Sequence, residues 1–319
     1  MNIEWGKVNH QPNIEHSLAQ QVSMERASFS FTHIKSGFTD NVFLINAVSS
    51  TGDQLGTFIA KEYMKEWHLK EQRVYEDILQ HHPFLGAPGL ITSGNGFVIL
   101  EHLKPEKFNP FSAEHVATLQ SWVIQKHIFF REHPELTKPF TEGERIQIKY
   151  LVEKPFELIR RFEGKELTSL TQRVIGMEDF FADVVRLNNT LPTTLEHGDL
   201  EPQNLFVGQD NRLRVVDWVN TRRGSGLFDI NQFFETAKDL DVALDVEQTT
   251  VQIAEAIGQG DLGTLLPKIR MIMLLNKIHF YGDKHLSGEI FSHSRLRPVY
   301  EMLIEYLSEL NQLVEQTDH

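Results

Sequence analysis

The hydrophobic pattern of this chain changes near residue 101, and that change constrains the fold more than any other feature. Before it, short apolar runs at residues 42–47 and 57–61 predict β-strands joined by a polar turn. A helical pattern over residues 65–80 and a hairpin over residues 90–100 follow, with Ser-Gly-Asn-Gly at its turn. After residue 101, long stretches with helical spacing take over.

The second part of the chain is predicted to be mostly helical. The helices are expected at residues 113–132, 142–162, 172–189, 227–239, 246–257, 265–281 and 297–315. Only residues 205–217 favour β-structure again. We therefore predict an α+β protein with two lobes, a small β-rich N-lobe at residues 1–101 and a large helical C-lobe at residues 102–319.

Composition narrows the classes of partner. The chain has 319 residues, of which 40% are hydrophobic, enough for two lobes around a cleft. Its formal net charge of −13 disfavours nucleic acid and anionic membranes as partners. The absence of cysteine excludes disulfides and thiolate sites and fits a cytoplasmic protein. No signal peptide is evident at the start, and the most apolar run, residues 269–280, is interrupted by charge, so we predict no membrane span.

Two short motifs carry the chemistry. Residues 197–204 read His-Gly-Asp-Leu-Glu-Pro-Gln-Asn, and residues 215–218 read Val-Val-Asp-Trp at the end of a predicted strand. Phosphoryl transfer needs a carboxylate to orient a hydroxyl and oxygen ligands for Mg²⁺. We predict Asp199 as the catalytic base, with Asn204 and Asp217 as the Mg²⁺ ligands. The plainer alternatives are a turn cap for Asn204 and an ordinary strand end for Asp217, while a His-x-Asp zinc pair lacks a third ligand at helical spacing.

Lys61 and Glu71 form a second candidate pair. Lys61 ends an apolar strand, where a lysine can also simply extend its amine to water. In the next helix, Trp67, Val74 and Ile78 define an apolar stripe that includes Glu71. A carboxylate on a buried face is costly unless it is paired. Lys61 is the nearest candidate partner in the sequence.

These motifs resemble those of the aminoglycoside phosphotransferase and choline kinase-like family, over roughly residues 30–240. The resemblance implies a bilobal protein kinase-like fold that uses ATP and Mg²⁺ to phosphorylate a small molecule. It implies that Lys61 holds the ATP phosphates and that Glu71 orients the lysine side chain. It also implies that Asp229 braces the catalytic loop, and that His197 packs against that loop without binding metal.

The resemblance assigns further nucleotide contacts in the N-lobe. The loop at residues 36–43, with Gly37 and Asn41, corresponds to one that presents backbone N–H groups to phosphate, although an ordinary hairpin would have the same composition. The segment after residue 97 corresponds to the hinge that reads adenine. Glu101 and Leu103 are the expected backbone contacts there.

The sequence does not identify the acceptor molecule. Glu201, Gln203 and the residues after Trp218 depart from the common family pattern next to the acceptor pocket. Arg222 and Arg223 would suit an anionic acceptor unless they are surface charges. The carboxylates at residues 239–247 would suit an aminated acceptor unless they mark a solvated helix boundary. Aminoglycoside-, choline-, homoserine- and sugar-like acceptors all remain.

The sequence leaves two alternative functions. The first is a non-catalytic nucleotide-binding regulatory module. Loss of Lys61, Asp199, Asn204 or Asp217 would favour it, and all four residues are present. A protein kinase fits less well because Asp-Trp replaces Asp-Phe-Gly and no Ala-Pro-Glu segment follows.

Overall fold

The structure is a computed structural model in which two compact units can be distinguished. Unit 1 contains residues 1–122 and 197–221, and unit 2 contains residues 123–196 and 222–319. The predicted lobe boundary after residue 101 remains a prediction. The structure describes the following residues: 10–21, 27–36, 40–63, 69–103, 106–107, 109, 112–162, 167, 171–172, 174–208, 210–239, 252–253, 258, 262–288 and 298–317.

Unit 1 is built on a five-stranded antiparallel sheet, whose strands are β1 (Ser28–Ser36), β2 (Asp40–Val48), β3 (Gln54–Tyr63), β4 (Leu90–Gly94) and β5 (Phe97–Glu101). Their order in the sheet is β1-β2-β3-β5-β4. The predicted strands, the turn at residues 49–53 and the hairpin are confirmed. The turn is closed by Ser49, whose Oγ accepts the N–H groups of Thr51 and Asp53.

One face of this sheet is covered by a helix that we did not predict. In β2, Phe43, Ile45 and Ala47 alternate with less buried residues, which is the period of a strand with one buried face. Helix α1 (Gln11–Gln21) adds Ile14 and Leu18 to the same core cluster. Two apolar side chains four residues apart are too weak a signal to predict a helix from the sequence.

The predicted helix over residues 65–80 is confirmed at residues 69–77, as α2 (Leu69–Asp77). Its predicted continuation over residues 78–80 is wrong. Residues 64–68, which include Trp67, lie outside the described residues. The chain leaves the helix at Ile78 and forms 3₁₀ turns at Leu79–His81 and Pro83–Leu85. The turn before Pro83 tightens because proline disfavours a helical residue in front of it.

Unit 1 also holds a small sheet of β6 (Glu106–Lys107), β8 (Leu205–Val207) and β9 (Leu213–Val215). The predicted β-structure at residues 205–217 is thus confirmed as two short strands. The N–H of Val215 donates to the carbonyl of Gly86 at 2.9 Å. Gly86 has φ of +74°, and a Cβ there would collide with the Leu213 carbonyl, so the contact requires glycine.

Unit 2 is mostly helical, and several predicted helices are confirmed with shifted bounds. The expected helix over residues 142–162 includes a π-helical turn at Lys149–Glu153, and the one over residues 172–189 begins only after turns around Gly176. The one over residues 246–257 lies mostly outside the described residues. The helices are α3 (Ala113–Glu132, shared with unit 1), α4 (Glu144–Ile148), α5 (Lys154–Arg160), α6 (Glu178–Thr190), α7 (Leu227–Asp239), α8 (Leu262–Leu286) and α9 (Val299–Thr317).

Two three-residue strands of unit 2 escaped prediction. Strand β7 (Thr194–Glu196) pairs antiparallel with β10 (Arg222–Gly224). Strands this short leave no measurable alternation in the sequence. The predicted α+β class, with an antiparallel sheet in the N-terminal region and a mostly helical C-terminal region, is confirmed. Within the described part of the chain, no helix combines the length and the apolar character that crossing a membrane requires.

Candidate active site

Lys61 lies near the end of β3 and is bound by two carboxylates. Its Nζ is 2.7 Å from Glu71 Oε2 and 2.7 Å from Asp217 Oδ1. Burial by itself would lower the pKa of this amine, but the two carboxylates outweigh burial and raise the pKa. Lys61 is therefore a buried cation at neutral pH, a charge that the interior accepts only because it is paired.

Glu71 connects Lys61 to the Asp-Trp motif. Its side chain is 1% exposed, and its Oε1 accepts the backbone N–H of Trp218 at 2.9 Å. Burial raises the pKa of this carboxyl, and Lys61 and the Trp218 N–H act in the opposite direction. The Lys61–Glu71 pair expected from the apolar stripe is present. The second bond, to Trp218, was missed, because a backbone donor leaves no trace in the sequence.

Asp217 is held in an uncommon backbone conformation. Its φ of +70° and ψ of 57° are left-handed, where side chains other than glycine, asparagine and aspartate are rare. A 3₁₀ turn at Trp218–Asn220 follows directly. Such a conformation at an aspartate that also binds a buried lysine is typical of a functional position.

The loop around Asp199 is organised by Asn204. The Nδ2 of Asn204 donates to the carbonyl oxygen of Asp199 at 2.9 Å and to its Oδ2 at 3.0 Å. Both bonds require the nitrogen, so they determine which side of the amide carries the oxygen. These bonds use the nitrogen of Asn204, so its Oδ1 is the candidate cation ligand, and they hold the Asp199 carboxylate in place.

His197 joins this loop to the end of β9. Its Nε2 contacts the carbonyl of Val216 at 2.9 Å, and its Nδ1 accepts the N–H of Asp199 at 3.2 Å. The proton therefore lies on Nε2. The ring packs edge-on against Trp218 at 4.8 Å between centroids. With both ring nitrogens in hydrogen bonds, His197 braces the loop. Gly198 has φ of +79° beside the Asn220 carbonyl, where a side chain would collide.

The donor set suits magnesium. Among the residues that the structure describes, no group of three or more His, Cys, Asp or Glu side chains could hold a metal ion. The candidate ligands Asn204 and Asp217 offer one amide and one carboxylate oxygen. Mg²⁺ typically takes one or two protein oxygens and completes its shell with phosphate and water. These residues therefore fit Mg²⁺ bound together with a nucleotide.

The remaining predicted contacts are less defined. Asn41 is fully buried in β2, opposite Glu62. The N–H of Glu101 donates to the Gly89 carbonyl at 2.8 Å, so its own carbonyl is the group to consider for adenine. Leu103 lies two residues after β5. Gly37 and the carboxylates at residues 241–247 lie outside the described residues, and the Asp239 side chain is not described.

Unit 2 contains a buried ion pair of which the sequence analysis identified only Asp229. Lys126 Nζ is 2.7 Å from Asp229 Oδ2, and both side chains have 0% exposure. The neighbouring His127 contacts the carbonyls of Val123 and Ser225. Burial, reinforced by Lys126, lowers its pKa to about 4. Asp229 thus has a structural partner, and a lysine on the buried face of α3 was the available signal.

The β7–β10 pair corrects our reading of the two arginines as surface charges. Arg222 Nε is 2.7 Å from Glu196 Oε2, and these side chains are 22% and 1% exposed. Arg223 is half-buried. Neither arginine is a freely solvated charge.

Comparisons with known proteins complete this picture. No family model and no curated protein matches the sequence. A choline kinase structure from Cryptosporidium parvum Iowa II matches with a TM-score of 0.63 and 13% identity, over 95% of this chain and 97% of that one. The chain has the fold of choline kinases.

The same protein kinase-like fold occurs in related phosphotransferase structures. A macrolide 2'-phosphotransferase from Brachybacterium faecium matches with a TM-score of 0.57 and 15% identity, over 91% of this chain and 97% of that one. The choline kinase LicA of Streptococcus pneumoniae in complex with AMP matches with a TM-score of 0.53 and 12% identity, over 96% and 100% of the two chains. The predicted resemblance is confirmed at the level of the fold.

Proposed function

We propose that this protein is an ATP-dependent phosphotransferase that moves the γ-phosphate of ATP to a hydroxyl group of a small molecule. One observation carries the proposal. Lys61, Glu71, Asp217 and the Trp218 N–H form one hydrogen-bonded cluster inside a small-molecule kinase fold. Each group has a role in phosphoryl transfer. A cluster with a purely structural role would be at least as stable if it were made of apolar residues, because burying charges costs desolvation free energy.

The nucleotide would be held by groups from unit 1. Lys61 would neutralise the phosphates, and Glu71 keeps its amine in place through the 2.7 Å ion pair. Asn204 and Asp217 would hold Mg²⁺, which neutralises the charge that develops on the phosphates. The carbonyl of Glu101 and the N–H of Leu103 would read adenine. The AMP complex of LicA, a structure of the same fold, supports a purine nucleotide as the ligand.

Asp199 would act on the acceptor. Asn204 holds its Oδ2, so the carboxylate can accept the hydrogen bond of the attacking hydroxyl. The hydroxyl oxygen bonds to the γ-phosphorus while the bond from phosphorus to the bridging oxygen of ADP breaks, and the hydroxyl proton passes to Asp199. An ordinary aspartate suffices because the proton leaves late in a loose transition state.

A screen for ATP consumption tests the proposal. ADP release is measured with choline, ethanolamine, aminoglycosides, macrolides, homoserine and sugars, with Asp199→Ala as the blank. We expect at least one acceptor to raise ADP release above that of the blank. If Mg·ATP binds but no acceptor is turned over, the non-catalytic module becomes the better description.

A further inference from the structure

The last residues of β3 alternate between the two faces of the sheet in unit 1. Phe58 and Ala60 belong to the core cluster that α1 completes. Lys61 and Tyr63 share the opposite face, because successive side chains of a strand point to opposite sides. Glu71 meets Lys61 on that face, at 2.7 Å. Tyr63 is therefore the next side chain along β3 on the side where Glu71 lies.

Tyr63 is fixed at the end of this face. Its N–H donates at 2.8 Å to the carbonyl of Gly96, in the turn between β4 and β5. Its side chain is 7% exposed. Among the residues that the structure describes, its buried hydroxyl makes no hydrogen bond of ordinary geometry. A buried hydroxyl without a partner is costly, so the acceptor nearest to it decides what this group does.

Glu71 is that acceptor. Burial raises the pKa of Tyr63, and the charge of Glu71 and a hydrogen bond toward it raise the pKa further, because a carboxylate retains the phenol proton. The hydroxyl thus lies beside the carboxylate without the alignment of a complete hydrogen bond. Glu71 has acceptor capacity left, since a carboxylate offers about four lone-pair sites. The Trp218 N–H takes one site at Oε1, and the Lys61 amine faces Oε2.

Tyr75 provides a comparison within the same unit. It lies one turn after Glu71 in α2 and is 1% exposed. Its hydroxyl, within the described part of the chain, is also buried without a hydrogen bond. Burial raises the pKa of Tyr75, and Glu71 and Asp217 add to the rise through charge. Of these two phenols near one carboxylate, Tyr63 is the one placed to donate to it.

Nucleotide binding changes what Glu71 requires. A lysine amine has three protons, and in the structure it contacts the carboxylates of Glu71 and Asp217. If Lys61 and Asp217 take the roles proposed above, the phosphates attract the amine and Mg²⁺ attracts Asp217. Glu71 then keeps a smaller share of the lysine charge. A hydroxyl donor from a fixed strand position compensates for that loss.

We propose that Tyr63 is a positioning residue of the nucleotide site, whose hydroxyl donates to Glu71 and thereby holds Lys61 toward the phosphates. The inference rests on the proposed function, which assigns Lys61 to the nucleotide. Tyr63 acts through Glu71 and not by contact with the nucleotide. Its hydroxyl therefore contributes to nucleotide affinity, although in the free protein it adds a desolvation cost.

Calorimetry with Mg·ATP tests this role. Tyr63→Phe keeps the ring and removes only the hydroxyl, so it should weaken Mg·ATP binding by about 2- to 10-fold, the range for one hydrogen bond. Tyr75→Phe is the matched control, because it removes the other buried hydroxyl near Glu71, and it should bind Mg·ATP like the parent. Urea denaturation without nucleotide should find Tyr63→Phe no less stable than the parent, since its hydroxyl has no aligned bond to lose.

A double variant shows whether the hydroxyl acts through Glu71. In a Glu71→Ala background, Tyr63→Phe should change Mg·ATP affinity less than it does in the parent, because its acceptor is gone. The proposal is overturned if Tyr63→Phe binds Mg·ATP like the parent or if Tyr75→Phe loses as much affinity. It is also overturned if the loss is equally large without Glu71, or if Tyr63→Phe loses stability along with affinity, which would indicate a packing defect.

Turnover separates this proposal from the proposed function. If the parent binds Mg·ATP and turns over an acceptor while Tyr63→Phe matches it in affinity, the positioning role is wrong and the function stands. If Tyr63→Phe binds Mg·ATP more weakly as expected but no acceptor is turned over, the phosphotransferase function is wrong and the positioning role stands. A parent that does not bind Mg·ATP contradicts both.

Discussion

Glu71 connects the groups of the proposed nucleotide site. It pairs with Lys61 and accepts the Trp218 N–H, so its removal would leave the lysine with Asp217 as its one printed carboxylate partner and would take this acceptor from the Trp218 N–H. A buried amine that loses one of two carboxylates is less well compensated and less firmly held in position. The geometry of the site is therefore a property of a connected set of groups.

The first prediction is that Lys61 and Glu71 act as a unit. Glu71→Ala should lower Mg·ATP affinity nearly as much as Lys61→Ala, and the double variant should lose less than the sum. Calorimetry on the three variants measures this coupling. As a control, Glu76→Ala alters a carboxylate of the same helix that bonds to Ser93 and should be neutral for ATP. Strict additivity would mean that the ion pair does not orient Lys61.

The second prediction separates Asp199 from Asp217. Asp199→Asn should leave Mg·ATP binding near normal and lower turnover by about 10² to 10⁴, the usual contribution of positioned acid–base catalysis. Asp217→Asn should weaken Mg·ATP binding as well, because it removes an anionic ligand and a partner of Lys61. ADP release and calorimetry report the two effects. The opposite pattern would exchange the two roles.

At the scale of elements, unit 2 contains a buried charge pair between α3 and α7. Lys126 and Asp229 are fully buried and 2.7 Å apart. A pair of this kind contributes little net stability compared with apolar residues, but loss of one partner leaves a buried charge unpaired. The pair therefore specifies how these two helices pack.

The third prediction follows from this pair. Lys126→Met should destabilise the protein by roughly 3–5 kcal/mol, and Asp229→Leu added to it should recover part of that loss. Arg186→Met is the matched control, since its ion pair with Asp183 is 51% and 73% exposed and should cost less than about 1 kcal/mol. Urea denaturation gives the values. A Lys126→Met protein as stable as the control would contradict a structural role.

At the scale of the whole molecule, stability should depend on pH through His127. Its folded pKa of about 4 lies below the ordinary 6.5, so the folded protein keeps it neutral while the unfolded chain takes up a proton. This contribution is fully present above pH 6.5 and is lost as the pH falls toward 4.

The fourth prediction is the size of that loss. Between pH 7.5 and pH 5, the parent should lose about 2 kcal/mol more of its free energy of unfolding than His127→Gln does. Urea titrations at the two pH values measure the difference. Equal losses in both proteins would show that His127 is not held neutral in the folded state.

The fifth prediction concerns metal and nucleotide together. A saturating level of Mg·ATP, about 100-fold above its Kd, should stabilise the folded protein by about 2.7 kcal/mol. Excess EDTA should abolish this effect, and Zn²⁺ should not replace Mg²⁺ because the donor set is all oxygen. Thermal unfolding with each metal tests it. Undiminished ATP stabilisation in EDTA would contradict the proposed Asn204–Asp217 site.

The sequence by itself determined the features that depend on local pattern. The existence of strand β2 and the bounds of α3 and α7 could be predicted, because a short apolar run next to a polar turn favours a strand and burial imposes a period of 3.6 on an amphipathic helix. Glu71 was found for the same reason, since a carboxylate on an apolar stripe needs a partner. The motif around Asp199 was recognisable because Asp199 and Asn204 stand only five residues apart in the sequence.

Only the tertiary structure decided which distant groups meet. The Glu71 bond to Trp218 joins residues 147 apart, and the Arg222–Glu196 bond joins residues 26 apart. Strands β7 and β10 have three residues each, too few for a period, so their pairing arises from packing alone. A lysine on the buried face of α3 was visible in the sequence, but only the fold shows that its partner is Asp229. Which groups meet over such separations is specified by the whole fold, and no local pattern encodes it.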